Sequence, residues 1–397
     1  MTTIPLSLYV HMPWCVRKCP YCDFNSHQRG ETAPPRSYID ALLRDLEREL
    51  PAIGDRPIET VFFGGGTPSL FPPEEFARLL EAFRRLTRLA ADAEVTLEAN
   101  PGTVERGRFA GYRDAGINRV SLGAQSFAPA ALARLGRIHA AEDTRRAVEE
   151  LHGAGLVNFN LDLMYALPEQ TLEEALADVR IACSLEPAHL SHYQLTLEPG
   201  TVFSARPPPL PDEDTAFEMQ RECQELLAQE GFAQYEVSAY ARRGARCRHN
   251  VNYWMFGDYV GIGAGAHGKL TFAAPEDIVR TEKPRQPREY LDRMADRLDD
   301  PAGDRLDASA GAGPPPGVRR RVPPGELAFE FMLNALRLNE GFSMPEFEQR
   351  TGLAASAVEP ALRRALGRDL LERSGERWRP TELGSRFLND LQAGFLE

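Results

Sequence analysis

At 397 residues, with 46 basic against 58 acidic side chains and a net charge of −12, the chain is long enough for two or three domains. That balance argues against sequence-independent nucleic-acid binding, and no run of about 18 apolar residues marks a membrane-spanning helix. Six cysteines are ordinary usage for this length, not a disulfide scaffold. Met1-Thr2-Thr3-Ile4-Pro5 lacks the basic start and apolar stretch of a secretory signal, so a reducing, cytoplasmic setting is expected.

In chain order, Leu6–Val10 reads as a first strand. Directly after it stands His11-Met12-Pro13-Trp14-Cys15-Val16-Arg17-Lys18-Cys19-Pro20-Tyr21-Cys22. Three thiolates spaced CxxxCxxC can hold three corners of an iron–sulfur cube and leave one iron open. Arg17 and Lys18 between the ligands favour thiolates, and Pro13 and Pro20 restrict the loop. A zinc site completed by His11 or His27, and a disulfide pair, are the competing readings.

A helix over 37–50 follows, then a strand over 60–63 that runs into Gly64-Gly65-Gly66-Thr67-Pro68-Ser69. Glycines at a strand end let backbone N–H groups approach a ligand. Helices are predicted at 73–89, 104–115, 141–154 and 172–184, alternating with strands at 94–98, 119–123, 157–164 and 190–195. Six strand–helix units imply a parallel sheet, and six are fewer than the eight of a closed barrel. The expected fold is a partial (β/α)6 barrel with ligands at the carboxyl ends of its strands. Glu98, Gln125 and Asp162 fall there; Asp162, in an apolar strand, needs a partner, and Arg137 is a candidate for that or for a bidentate clamp on a ligand carboxylate.

The cysteine loop followed by the glycine turn resembles the radical S-adenosylmethionine (SAM) superfamily, in which such a GGGTP segment contacts the SAM amino group. Over about the first 270 residues the chain resembles the oxygen-independent coproporphyrinogen III oxidase group. The resemblance implies a [4Fe–4S] cluster on Cys15, Cys19 and Cys22. It implies SAM surrounded by Tyr9, Tyr21, Gly65, Gly66, Thr67 and Glu98. Gln125, Arg137 and Asp162 match a set that holds adenosine or a second SAM, and Thr196 and His267 match two further backbone-contact positions.

Two departures separate the chain from the oxidases: Phe24 stands where they carry a fourth cysteine, and Cys15 comes almost at once. Both resemble the HemW-type heme chaperone branch, as do Leu8 to His27 and His249-Asn250-Val251-Asn252-Tyr253-Trp254. That branch implies heme as ligand, contacted by His249 with Cys247 as an alternative, and delivery to respiratory membrane proteins; the residues alone read equally as a structural His249 packed against Trp254. Nucleic acid is not an expected partner. A homodimer and transient contact with the inner membrane face remain open, as does SAM cleavage. Coproporphyrinogen oxidation and radical chemistry on an unknown substrate are the alternative functions.

The barrel is expected over 1–215 and a family-specific extension over 216–298. Residues 299–324, rich in Pro and Gly, read as a flexible linker in which Arg319-Arg320-Arg321 is a solvated flank. From 325 to 397, three helical stretches and a hairpin (370–372 with 377–381) resemble a winged-helix domain, expected to contact protein.

Overall fold

A computed structural model describes residues 4–29, 36–102, 107–272, 277–295 and 317–396. Six parallel strands form its centre: β1 (Leu6–Met12), β2 (Pro57–Gly65), β3 (Arg88–Ala99), β4 (Arg119–Gln125), β5 (Phe159–Tyr165) and β6 (His189–Gln194). They pair in chain order, each parallel to the next. The expected six-unit partial barrel is present.

Side-chain alternation divides each strand between two environments. Leu6, Leu8, Val10 and Met12 pack in one apolar cluster with Ile39, Leu42 and Leu46 of the first helix, α1 (Arg36–Ile53). Ser7, Tyr9 and His11 alternate with them and meet polar and aromatic partners inside the barrel: Ser7 bonds Thr60, and Tyr9 bonds His11. The barrel therefore has an apolar outer wall and a largely polar interior.

The sheet continues past both edges of the barrel to 12 strands. Ala239–Ala241 and Ala233–Glu236 add antiparallel beyond β6. On the other side Asp258–Ile262 pairs parallel with β1, followed by antiparallel His267–Thr271, Ile278–Glu282 and Val318–Arg321. The last strand holds Arg319–Arg321 at the sheet edge, where all three residues are exposed, so the run is a solvated flank that is also paired. Arg319 reaches Glu49, Arg320 reaches Glu326 and Arg321 reaches Asp277. Residues 299–316 of the expected linker lie outside the described residues.

Two predicted helices are shorter than expected. The helix from Pro73 ends at Leu86, and Thr87, extended at φ −130°, bonds back to Phe83 O. Leu86 and Leu89 share a helical spacing, but Leu89 already belongs to β3. The helix expected from Val104 begins at Phe109, its first residues lying outside the described ones.

The C-terminal part packs helices Pro324–Ala335, Met344–Thr351 and Glu359–Gly367 against a three-stranded sheet. Ser343 and Glu346 form a reciprocal cap on the second helix. Its core (Phe331, Phe342, Phe347, Leu362, Leu371) is continuous with Phe256 and Ile278 of the extension.

A buried charge network ties α1 to the extension. Lys283 Nζ reaches Asp45 at 2.6 Å and Glu49 at 2.7 Å, while Tyr290 and the Gly263 N–H also donate to Asp45. Lys283→Ala leaves two buried carboxylates without that cation and should cost about 3–5 kcal/mol in urea unfolding. Arg363→Ala, at the exposed pair with Glu359, should cost less than about 1 kcal/mol. Equal costs would contradict this account.

Candidate metal and cofactor site

The cysteine loop leaves β1 at the carboxyl end of the barrel. Trp14 and Cys15 pair with His27 and Gln28 in a short ladder that closes the loop on itself. Asn25 Nδ2 anchors it to Ala264 O and Arg285 O, and Lys18 Nζ binds Phe24 O and Ser26 O. Lys18 is thus a loop brace first, although its charge also favours the Cys22 thiolate. Arg17 is exposed.

Each of the three thiols meets its own polar side chain. Thr67 Oγ1 donates to Cys15 at 3.6 Å, Arg137 donates to Cys19 at 3.7 Å, and the Ser26 hydroxyl lies 3.8 Å from Cys22. Burial pushes the Cys15 and Cys22 thiols up, and neighbouring thiols add to this, Cys22 and Cys19 at Cys15 and Cys19 at Cys22. A bound cation would relieve both effects. Among the described residues no three His, Cys, Asp or Glu side chains converge as ligands of a single metal ion. His11 has both ring nitrogens engaged, to Tyr9 and Asn25 O, and His27 bonds Arg285 O. The zinc reading therefore lacks its histidine. Thiols with separate donors suit a polynuclear iron–sulfur cluster, and Cys15, Cys19 and Cys22 would hold it.

The glycine turn ends β2 beside this loop. Gly66 N bonds Met12 O at 2.9 Å, and Thr67 N bonds Trp14 O at 2.7 Å. A Cβ at residue 65 would stand 2.4 Å from the His11 ring, and one at 66 would stand 2.6 Å from Trp14 O. Gly65 also has φ +113°, a conformation few other residues adopt.

Inside the mouth, Glu98 Oε2 accepts the Gly65 N–H at 3.0 Å. Burial, reinforced by Asp162, raises its pKa to about 8. Burial likewise raises Asp162, against the hydrogen bonds it accepts from Asn160 and Ser121. Two buried carboxyls, both raised by burial and one of them further by the other, favour a cationic ligand group beside them, such as an ammonium or sulfonium.

Arg137 is not the partner of Asp162. Its guanidinium bonds Asn100 Oδ1, Gly123 O and Cys19, and its buried Nε has no partner among the described residues. The cation acting on Asp162 is Arg119, buried in the barrel. Gln125 ends β4 at φ +67°, in the left-handed region, and accepts from Tyr193 OH at 2.9 Å. Such strain at a strand end accompanies functional sites.

Tyr21 packs on Phe203 in the loop wall, and Tyr9 stacks on Phe62 deeper in the barrel. Thr196 and His267 are exposed, the first bonding Glu198, the second near Glu282. The structure brings together Tyr21, Gly65, Gly66, Thr67, Glu98, Gln125, Arg137 and Asp162, with Tyr9 below them.

His249 lies elsewhere. It belongs to a short helix, Arg248–Trp254, that closes the opposite end of the barrel. Glu94 anchors this plug by accepting the backbone N–H groups of Arg248 and His249, and Cys247 also donates to it. His249 Nδ1 bonds Thr60 Oγ1 and Nε2 bonds Tyr253 OH, both at 2.7 Å. Burial drives its pKa down to about 3. An imidazole with both nitrogens engaged offers no lone pair to iron, so His249 is not an open heme ligand here. Cys247, fully buried, is no more accessible.

A family model described as the radical SAM superfamily matches residues 9–182, and the HemN C-terminal domain matches residues 322–387. The heme chaperone HemW of Escherichia coli is 47% identical over 99% of this chain and 98% of its own length. The chain belongs to the HemW family of radical SAM proteins. The Haemophilus influenzae HemW is also 47% identical over 99% of the chain and 98% of its own length. A mouse radical SAM domain-containing protein, mitochondrial, is 44% identical over 66% of the chain and 60% of its own length. The solved structure of E. coli coproporphyrinogen III oxidase (HemN) superposes at a TM-score of 0.80 with 21% identity. That match covers 99% of this chain and 90% of the oxidase, and it shows the fold. Membership in the HemW family carries with it the SAM and [4Fe–4S] cofactors of radical SAM proteins.

Sequence reading missed Asn100, Ser26, Tyr193 and Arg119. Asn100 was legible only as a neighbour of Pro101 at a strand end, and Arg119 only as the start of an apolar strand.

The Glu98 environment yields a pH test. Its folded pKa, about 8, lies above the ordinary carboxylate value, so the unfolded chain ionises first as pH rises. Stability of the cofactor-free protein should therefore fall between roughly pH 4.5 and 8 from this group. Glu98→Gln should raise the melting temperature more at pH 8 than at pH 5; an equal shift at both would contradict the assignment.

Proposed function

We propose that this protein is a heme chaperone: it binds heme and passes it to heme-accepting respiratory membrane proteins. The observation that carries this reading is near-full-length identity to proteins named heme chaperone HemW, through both the barrel and the C-terminal domain. Phe24 supports it. Where the oxidase group has a fourth cysteine, this chain has an aromatic side chain 63% exposed in the cluster loop.

Cys15, Cys19 and Cys22 hold the cluster in this reading. Gly65 to Thr67, Glu98, Gln125, Arg137 and Asp162 hold SAM, with Tyr9 and Tyr21 beside it and Thr196 and His267 at the rim. Together these cofactors supply one-electron chemistry when bound. The chain's own part is to seat the SAM cation against Glu98, exclude water with Tyr9 and Phe62, and brace the thiols.

Heme ligation by His249 would require the plug to open and both of its ring bonds to break. We therefore infer that heme is held outside the closed plug. Delivery implies transient contact with a membrane protein. Among the described residues no helix is long and apolar enough to cross a membrane, so that contact would be peripheral. A homodimer belongs to the same proposal and is checked by light scattering.

The test is a heme titration of anaerobically reconstituted protein, followed at the Soret band. Saturation near about one heme per chain is expected, retained in His249→Ala. Unsaturable binding would remove the heme assignment. Loss of the band in a folded His249→Ala variant would show instead that the plug opens to ligate.

A further inference from the structure

Two of the three cysteine thiols are joined by one unbroken chain of side chains. Thr67 Oγ1 donates to Cys15 Sγ at 3.6 Å. Asn100 Nδ2 donates to Thr67 Oγ1 at 2.8 Å, which leaves the Thr67 proton aimed at the sulfur. The Asn100 carbonyl oxygen in turn accepts from Arg137 NH2, and Arg137 NH1 donates to Cys19 Sγ at 3.7 Å. Asn100 touches neither sulfur, yet its amide sets the direction of both donors: its N–H group occupies the Thr67 acceptor site, and its oxygen fixes the guanidinium. The space is shaped for this arrangement. A Cβ at Gly123 would lie 3.1 Å from Asn100 Oδ1 and 3.4 Å from Arg137 NH2.

We propose that Asn100 is a positioning residue that orients the donors on Cys15 and Cys19 and so tunes the reduction potential of the cluster they hold. The proposal rests on the reading of these cysteines as cluster ligands. Hydrogen bonds to ligand sulfur favour the reduced, more negative cluster and raise its potential. An amide is required because one residue must donate at one end and accept at the other. A carboxylate at position 100 would accept from both neighbours and draw the Thr67 proton away from Cys15.

The test uses the full chain, reconstituted anaerobically, with Asn100→Ala, the nearly isosteric Asn100→Asp, Thr67→Val and the Thr67→Val/Asn100→Ala double variant. Iron and sulfide content of the unaltered protein decides the cluster reading itself. Redox titration followed by electron paramagnetic resonance then decides the role of Asn100. Asn100→Ala and Asn100→Asp should both move the midpoint to more negative potential at full iron content, and the double variant should shift it by less than the sum of the singles. If Asn100→Ala does not fold, Asn100→Asp carries the test alone. An unchanged midpoint and spectrum in iron-loaded Asn100→Asp would overturn the proposal, as would full additivity in the double variant.

Discussion

The mouth of this barrel depends on one close approach of two backbone segments. Gly66 N to Met12 O and Thr67 N to Trp14 O staple the glycine turn to the root of the cysteine loop. The approach is open only because residues 65 and 66 have no side chain to place against the His11 ring and the Trp14 carbonyl. From that staple follow the position of Thr67 against Cys15 and the aim of the Gly65 N–H at Glu98. A methyl group at either glycine would separate the metal loop from the cofactor turn.

At the other end the same barrel is closed by a polar plug. Glu94 accepts the N–H groups of Arg248 and His249, where a carboxylate complements a helix N-terminus, and Asn252 reaches Ser7. The motif histidine, His249, and the neighbouring Asn252 are thereby explained by folding needs inside a polar interior. Tyr253 also serves the plug through His249, while Trp254 stacks under Arg337 of the C-terminal part. The motif thus couples the barrel floor to the last domain, whatever else it does.

Much of this was legible in the sequence because it rests on local pattern. Six apolar strands with helices between them can close only as a parallel sheet, and CxxxCxxC beside a glycine turn announces its chemistry through spacing. The winged C-terminal part showed itself through three helical stretches followed by a hairpin. What escaped was set by contacts between distant segments. Arg137 was offered to Asp162 on charge alone, but Asp162 accepts hydrogen bonds from Asn160 and Ser121 while Arg137 faces Asn100 and Cys19. Heme contact by His249 came from the family resemblance, and nothing local reveals that Thr60, nearly two hundred residues earlier, occupies its Nδ1. Arg319–Arg321 are exposed, as read, but their pairing with residues 279–281 is not written in the run itself.

The central claim is that Cys15, Cys19 and Cys22 hold a four-iron cluster whose remaining iron is open to SAM. Its most direct test is the paramagnetic resonance spectrum of the reduced, reconstituted protein recorded with and without SAM. A cluster signal that changes when SAM is added, and is absent from Cys19→Ser, is the predicted result. A signal indifferent to SAM, or thiols that retain zinc and take up no iron, would contradict the account.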